Sequence, residues 1–184
     1  MNTGFAAPAL RPDRRLRTMG IALRPAVDAD MPFLRRLYAD LRADELVIAP
    51  WTDAAKAAFI ESQFALQHHH FTTPGIATDR WIVARGGVGV GRLYANRGDS
   101  PWRLVEIGLT PAAQGQGVGS ALLDWLKRAA RDAGARGIDL HVHLTNPRAA
   151  ALYGRHGFVA TDADSATHRR MIWHVRPVRQ LKTA

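Results

Sequence analysis

The chain has 184 residues, which fits a single domain that can bury about 70% of its unfolded surface without a disulfide or a structural metal. Hydrophobic residues make up 47% and charged residues 22%, as in an ordinary globular protein, and no apolar run reaches the roughly 18 residues that a membrane span requires. Cysteine is absent, which excludes disulfides, thiolate metal sites and a cysteine-bound intermediate, and fits a cytoplasmic location.

The net charge is +9, from 25 basic and 16 acidic residues, and such a field attracts polyanions. Much of the excess lies near the two ends of the chain, at Arg11, Arg14, Arg15, Arg17, Arg176, Arg179 and Lys182. This pattern favours solvated tails over a docking surface. We therefore expect a flexible basic extension at residues 1–19, with Met19 as an alternative start, one domain at 20–176 and a tail at 177–184.

From residue 20 onward, strand and helix signals alternate. Ile21 and Leu23 favour a short first strand, and helices are then expected from about Asp28 to Leu41 and from about Thr52 onward. Further strands are predicted at residues 81–85, 88–94, 103–109, 138–144 and 170–175, with helices near 117–134 and 147–156. This order predicts a mixed α/β fold, a sheet with helices on its faces.

One glycine-rich segment lies between a predicted strand and a predicted helix. It reads Gln114-Gly115-Gln116-Gly117-Val118-Gly119. Glycines let the backbone approach a ligand closely, and a helix start adds a partial positive charge. The segment therefore predicts a cradle for an anion such as a pyrophosphate, although a tight connection alone would also account for it.

A second segment, residues 146–158, has the signals of a short helix. Asn146 is a good N-cap, Pro147 suits the first helical position and Gly157 ends the helix. A well-capped helix accounts for all of these residues but leaves Tyr153 unexplained.

Together the two segments resemble the motifs of the GCN5-related N-acetyltransferase (GNAT) family. Residues 114–119 match Gln-x-x-Gly-x-Gly, and residues 146–158 match Asn-x-x-Ala-x-x-Leu-Tyr-x-x-x-Gly-Phe. The resemblance spans residues 20–175 in element order. It implies a central mixed, mostly antiparallel twisted sheet with helices on both faces. It also implies transfer of an acetyl group from acetyl-CoA, without a metal, to a primary amine of a small molecule or protein by direct attack in a ternary complex.

The resemblance also assigns roles to individual residues. Tyr153 would donate a proton to the leaving thiolate, and Tyr38 and Trp51 would form the acceptor lip. Acetyl-CoA would be held by the backbone at Leu109 and Thr110, by Gln114, Gly115, Gln116, Gly117, Val118, Gly119 and Ser120, and by Asn146, Ala149 and Tyr153. Asn146 could equally act only as a helix cap.

Glu106 is the candidate base or amine anchor. It lies on the strand that leads into the glycine segment, whereas many relatives carry the carboxylate about three residues earlier, where this chain has Arg103. The alternation of side chains along the strand decides which face Glu106 occupies. A structural ion pair is the other interpretation.

Three alternatives remain open from sequence. The positive charge would also suit acetylation of aminoacyl-tRNA, although nucleic acid is otherwise not an expected partner. A non-catalytic acyl-CoA sensor would keep both motifs, and a homodimer is compatible with the resemblance.

His68, His69 and His70 point about 100° apart on a helix, and His141 and His143 share a strand face without an evident third ligand, so neither group predicts a metal site.

Overall fold

The structure, a computed structural model, describes residues 10–47, 49–73, 78–161 and 165–175. Its helices are α1 (Arg14–Thr18), α2 (Met31–Val47), α3 (Asp53–Thr72), α4 (Val118–Asp132) and α5 (Pro147–Arg155). Its strands are β1 (Ile21–Pro25), β2 (Thr78–Arg85), β3 (Val88–Asn96), β4 (Trp102–Leu109), β5 (Gly137–His143), β6 (Val159–Ala160) and β7 (His168–His174). Short 3-10 turns lie at Asp28–Asp30 and Pro111–Ala113. The predicted tail at 177–184 lies outside the described residues.

The strands form one seven-stranded sheet in the order β1-β2-β3-β4-β5-β7-β6. Only β4 and β5 run parallel, and every other neighbouring pair is antiparallel. The predicted fold class, a mixed and mostly antiparallel sheet with helices on both faces, is confirmed. No helix in the described ranges is long and apolar enough to cross a membrane.

Helices α1, α4 and α5 pack on one face of the sheet, here called the α4 face. Leu122 and Trp125 of α4, Tyr153 of α5 and Leu16 of α1 share a core there with strand residues such as Leu104. This apolar layer follows from the 3.6-residue periodicity of α4 and from the alternation along each strand.

Helices α2 and α3 cover the other face, here called the α2 face. Leu34 and Tyr38 of α2 and Phe64 of α3 pack against Ile82 of β2 in a smaller core. Strands β5 and β7 carry exposed or half-buried polar side chains on this face, among them His141, His143 and Arg170.

Strands β4 and β5 pair over a short stretch only. The register joins residues Trp102, Arg103 and Leu104 to Ile138, Asp139 and Leu140. Both strands then continue, β4 to Leu109 and β5 to His143, without further pairing. The sheet therefore contains a gap between the carboxyl-terminal halves of its two parallel strands.

The prediction of a flexible extension is wrong for residues 10–19. Asp13 caps α1 by accepting a hydrogen bond from the backbone of Leu16 at 2.9 Å, and the Leu16 side chain is fully buried against α4. Arg15 pairs with Asp124 of α4 at 2.5 Å, and the Trp125 indole donates to the carbonyl of Arg11 at 2.8 Å. The basic residues of this segment thus flank a docked helix.

Candidate active site

The glycine segment forms a loop that leads directly into α4. Gly115 and Gly117 have φ angles of 73° and 77°, the left-handed region that glycine adopts without strain. Gly117 is the N-cap of α4, so the amides of Val118, Gly119 and Ser120 have no partner within the helix. A Cβ placed on either Gly115 or Gly117 would meet nothing within 4 Å. The loop therefore presents open backbone donors at a helix N-terminus, which suits a phosphate group.

Both glutamine side chains of the loop are used to hold its shape. Gln114 donates to the carbonyl of Leu109 at 3.0 Å and accepts from Arg148 at 2.9 Å. Gln116 donates to the carbonyl of Ala112 and accepts from Arg85, both at 2.5 Å. The contribution of these glutamines to a ligand site is thus to fix the backbone.

Two cations next to the loop were missed from sequence. Arg85 ends β2, and Arg148 lies in the first turn of α5, so both reach the loop from elements distant in sequence. The Nε atom of Arg85 is buried without a hydrogen-bond partner. Their positive charge adds to that of the helix N-terminus and strengthens the attraction for an anion.

The backbone at the end of β4 differs from the prediction at one of two residues. The amide of Thr110 donates to the carbonyl of Val90 in β3 at 2.9 Å, so it is not available to a ligand. Because successive amides of a strand point to opposite sides, the amide of Leu109 points away from β3 and toward the gap. Of the two predicted donors, only Leu109 can serve there.

Tyr153 lies on α5 beside the gap. The side chain is buried in the core of the α4 face, and its ring centroid lies 5.8 Å from that of Phe158. Burial raises the pKa of the Tyr153 hydroxyl, and the negative charge of Glu106 raises it further. Tyr153 therefore carries its proton throughout the neutral pH range.

Asn146 acts as the N-cap of α5, since its side chain accepts a hydrogen bond from the amide of Ala149 at 3.0 Å. A Cβ placed on Gly119 would lie 3.5 Å from the side chain of Leu152, a residue of the same helix. The two predicted motifs are thus in direct contact, and α5 is held against the start of α4.

A β-bulge in β4 decides where Glu106 points. Tyr94 of β3 pairs with Glu106, but the next residue, Ala95, pairs with Leu104, so Val105 is an extra residue. Strict alternation would place Glu106 on the same face as Leu104, in the core beneath α4. The bulge reverses the alternation and turns Glu106 to the α2 face.

On that face Glu106 is held by Arg92, whose side chain is only 2% exposed. One Arg92 nitrogen donates to Oε1 of Glu106 at 2.5 Å and to the Gln67 side chain of α3 at 2.7 Å. The guanidinium also lies 5.4 Å from the ring centroid of Tyr94 and 5.9 Å from that of Tyr38. The second carboxylate oxygen of Glu106 is buried and has no hydrogen-bond partner. This oxygen is the unsatisfied acceptor of the site.

The structure does not place Tyr38 where the predicted acceptor lip requires it. Tyr38 is buried between α2 and α3, with its ring edge-on to Phe64 at 5.8 Å, so it cannot form a surface lip. Trp51 is 46% exposed and contacts Phe59 at 5.1 Å. The hydrophobic packing of α2 on α3 explains why Tyr38 turns inward.

The histidines contact separate neighbours. His68 stacks on Phe64 at 5.8 Å, and His70 contacts Phe71 at 5.6 Å. His143 lies edge-on to His168 at 4.9 Å. Within the described ranges, no group of three or more potential metal ligands converges.

Known proteins share both the sequence pattern and the fold. The profile of the acetyltransferase (GNAT) family matches residues 34–158. A mycothiol acetyltransferase of Jonesia denitrificans is 37% identical over 98 residues, which are 53% of this chain and 29% of that protein. The chain therefore aligns with less than a third of that curated relative.

Two solved structures have a similar fold. The PaiA N-acetyltransferase of Thermoplasma acidophilum, in complex with coenzyme A, superposes with a TM-score of 0.66 at 16% identity, covering 84% of this chain and 99% of that one. An acetyltransferase of Thermus thermophilus superposes with a TM-score of 0.60 at 21% identity, covering 84% and 97%. The family match covers more than half of the chain and includes both motifs. The chain belongs to the acetyltransferase (GNAT) family.

Proposed function

We propose that this protein transfers an acetyl group from acetyl-CoA to a primary amine by direct attack. One observation carries the proposal: a protonated Tyr153 and a carboxylate, Glu106, lie on opposite faces of the sheet at one gap, beside a glycine loop that suits a pyrophosphate. The loop and the start of α4 would hold the pyrophosphate, and the amide of Leu109 would polarise the thioester carbonyl. The amine would approach from the α2 face.

Proton energies define the role of Glu106. An alkylammonium has a pKa near 10.4, so its deprotonation at pH 7 costs about 4–5 kcal/mol. Glu106 therefore acts first as the anchor of the amine, through its unpartnered oxygen. It then accepts the proton that becomes acidic as the nitrogen–carbon bond forms.

The leaving sulfur sets the role of Tyr153. When the carbon–sulfur bond breaks, the thiolate needs a proton, and an ordinary thiol of pKa near 8.5 is a stronger acid than a phenol. Full transfer of the proton from Tyr153 to the thiolate would be uphill if only the phenol were buried. Burial also disfavours the thiolate, so the hydrogen bond from Tyr153 stabilises the negative charge that develops on the sulfur in an apolar environment.

Thiol release from acetyl-CoA tests the reaction. The acceptor panel contains amino acids, polyamines, aminoglycosides, peptide amino termini and charged tRNA. We expect turnover with one class, and we expect Tyr153→Phe and Glu106→Gln each to lower kcat by about 10²–10⁴-fold, the range of one general acid or base. Acetyl-CoA affinity should stay within a few-fold of the parent, because both substitutions nearly keep the size of the side chain and leave the glycine loop unchanged.

A matched variant controls for the loss of a charge. Glu61→Gln removes an exposed carboxylate that pairs with Arg35 at 3.1 Å. It should retain full activity. Binding of acetyl-CoA without thiol release from any acceptor would favour a sensor, and failure to bind acetyl-CoA would contradict the cradle.

A further inference from the structure

Helix α5 carries a positive charge at the end where a helix tolerates one least. Arg148 lies two residues after Asn146, the N-cap, and the first turn of α5 contains no acidic residue. The partial positive charge of a helix N-terminus repels a cation in that turn, whereas it would attract a carboxylate. The position of Arg148 is therefore better explained by a contact outside the helix than by the helix itself.

In the structure, Arg148 contacts a neutral group. Its side chain is exposed, and Nη1 donates to Oε1 of Gln114 at 2.9 Å. An amide oxygen does not neutralise a guanidinium, and no carboxylate in the described part of the chain pairs with Arg148. A guanidinium has five N–H donors, so others remain for a second acceptor. The Gln114 contact thus orients a cation beside the glycine loop without pairing its charge.

A second guanidinium contacts the same loop. Arg85 donates to Oε1 of Gln116 at 2.5 Å, again a neutral amide oxygen, and its Nε atom is buried without a hydrogen-bond partner. The loop ends at the N-terminus of α4, whose first turn also contains no acidic residue. Two cations and the positive ends of two helices therefore lie around one loop. These like charges repel one another, and a bound anion would relieve the repulsion.

We propose that Arg148 binds a phosphate group of acetyl-CoA, and that a phosphate oxygen replaces the side-chain oxygen of Gln114 as its acceptor. A guanidinium matches the geometry of a phosphate and can bind two of its oxygens at once, whereas an amide offers it one oxygen. The inference rests on the position of acetyl-CoA in the proposed function. It adds a residue that distinguishes acetyl-CoA from thioesters without phosphate.

Titration calorimetry with acetyl-CoA tests the contact directly. Arg148→Gln should weaken binding about tenfold at low salt, because a charge-assisted hydrogen bond to phosphate is lost, and the difference should shrink as salt screens the charge. Acetylpantetheine carries no phosphate and should bind the parent and Arg148→Gln equally. The matched control is Arg155→Gln, which removes an exposed arginine from the last turn of the same helix and should leave both affinities unchanged.

Urea denaturation separates binding from folding. Arg148→Gln should not lower the midpoint, because the substitution removes a cation from a helix N-terminus, whereas Arg155→Gln removes one from the favourable end and should not raise it. Weaker acetyl-CoA binding without a loss of stability is the pattern expected of a ligand contact. A lower midpoint together with an equal loss for acetylpantetheine would indicate a structural role and would overturn the inference.

A second substitution tests whether Arg148 acts only through Gln114. Gln114→Met removes the side-chain oxygen that accepts from Arg148 and keeps a side chain of similar size. If Arg148 binds phosphate, Arg148→Gln should still weaken acetyl-CoA binding about tenfold in the Gln114→Met background. If Arg148 only holds the loop through Gln114, Arg148→Gln should have no effect in that background, and the inference fails.

Acetyl-CoA has phosphate in two places, the pyrophosphate and the 3′-phosphate of the ribose, and its 3′-dephospho form distinguishes them. If Arg148 binds the 3′-phosphate, this ligand should bind the parent and Arg148→Gln equally. If Arg148 binds the pyrophosphate, the tenfold difference between the parent and the variant should persist.

Failure of this inference differs from failure of the proposed function. Equal acetyl-CoA affinity of the parent and Arg148→Gln at low salt overturns the inference and leaves acetyl transfer intact. Absence of acetyl-CoA binding by the parent overturns both.

Discussion

Gly117 combines two properties at the residue scale, a left-handed backbone and open space above it. A side chain at such a position costs about 1–2 kcal/mol in backbone energy even when it touches nothing. The N-terminal amides of α4 depend on this conformation, so strain at Gly117 should be felt directly in ligand affinity.

Gly117→Ala should therefore weaken acetyl-CoA binding about tenfold, as measured by titration calorimetry. Gly154→Ala is the control, because a Cβ there also meets nothing within 4 Å but the backbone of α5 is helical. That variant should keep the affinity and gain about 0.5–1 kcal/mol in the free energy of unfolding. Equal affinities in the two variants would show that backbone conformation does not limit binding.

The candidate site was predictable from sequence to the extent that it depends on local motifs. Glycine spacing and the Asn146 cap are local signals, and they locate the loop and α5. The orientation of Glu106 was not predictable, because a single extra residue, Val105, reverses the alternation of side chains along β4. Nothing in the valine side chain indicates a bulge. Arg92 was missed for a related reason: its partners come from three separate elements.

At the element scale, α1 shows how little apolar surface is needed to dock a short helix. Leu16 is its single buried residue. Beside it, Asp13 caps α1 and forms an ion pair with α4, and Arg15 forms a second ion pair with α4. Isolated helices of five residues do not form in water, so packing against α4 must supply the stability of α1.

Leu16→Ala should lower the free energy of unfolding by about 2–5 kcal/mol, the cost of emptying a filled core position. Urea denaturation measures the change, and Arg14→Ala, an exposed position in the same helix, should stay within about 0.5 kcal/mol of the parent. A chain that begins at Met19 should lose at least as much as Leu16→Ala. An unchanged midpoint in Leu16→Ala would mean that α1 does not pack as described.

The sequence pattern predicted the longer elements correctly, but it did not predict α1. Helix α4 spans four turns, and its apolar residues repeat at helical spacing, so periodicity identifies it. Helix α1 offers one leucine among arginines, a pattern that is also typical of a solvated tail. Packing of Leu16 into the core that α4 shares decides between the two structures, and a local pattern does not contain that contact.

Over the whole molecule, acid stability depends on carboxylates that guanidinium groups hold. Burial opposes ionisation of Asp139, but hydrogen bonds from Arg103 and Arg170 outweigh it and lower its pKa. The hydrogen bonds of Arg24 likewise lower the pKa of Asp30. A group with a lowered folded-state pKa stabilises the fold above its unfolded pKa, near 3.9, and this contribution is lost as the pH falls further.

The free energy of unfolding should therefore decrease as the pH falls from 5 toward 2, and Asp139→Asn should flatten that decrease. Urea denaturation at each pH gives the slope, which is independent of any constant loss that the substitution causes. Asp132→Asn, at an exposed position on α4, should leave the slope unchanged. A slope that is identical in Asp139→Asn and the parent would contradict the assignment.

The short pairing of β4 with β5 has a mechanical consequence. It divides the sheet into a four-stranded half, β1 to β4, and a three-stranded half, β5 to β7, and the backbone ladder joins them over three residues of each strand. Beyond those residues no backbone hydrogen bond of the ladder joins the two halves, and the shared core of the α4 face holds them together instead. The gap where the two reactants would meet is therefore the part of the sheet that backbone pairing constrains least, and a ligand bound across it would link the two halves.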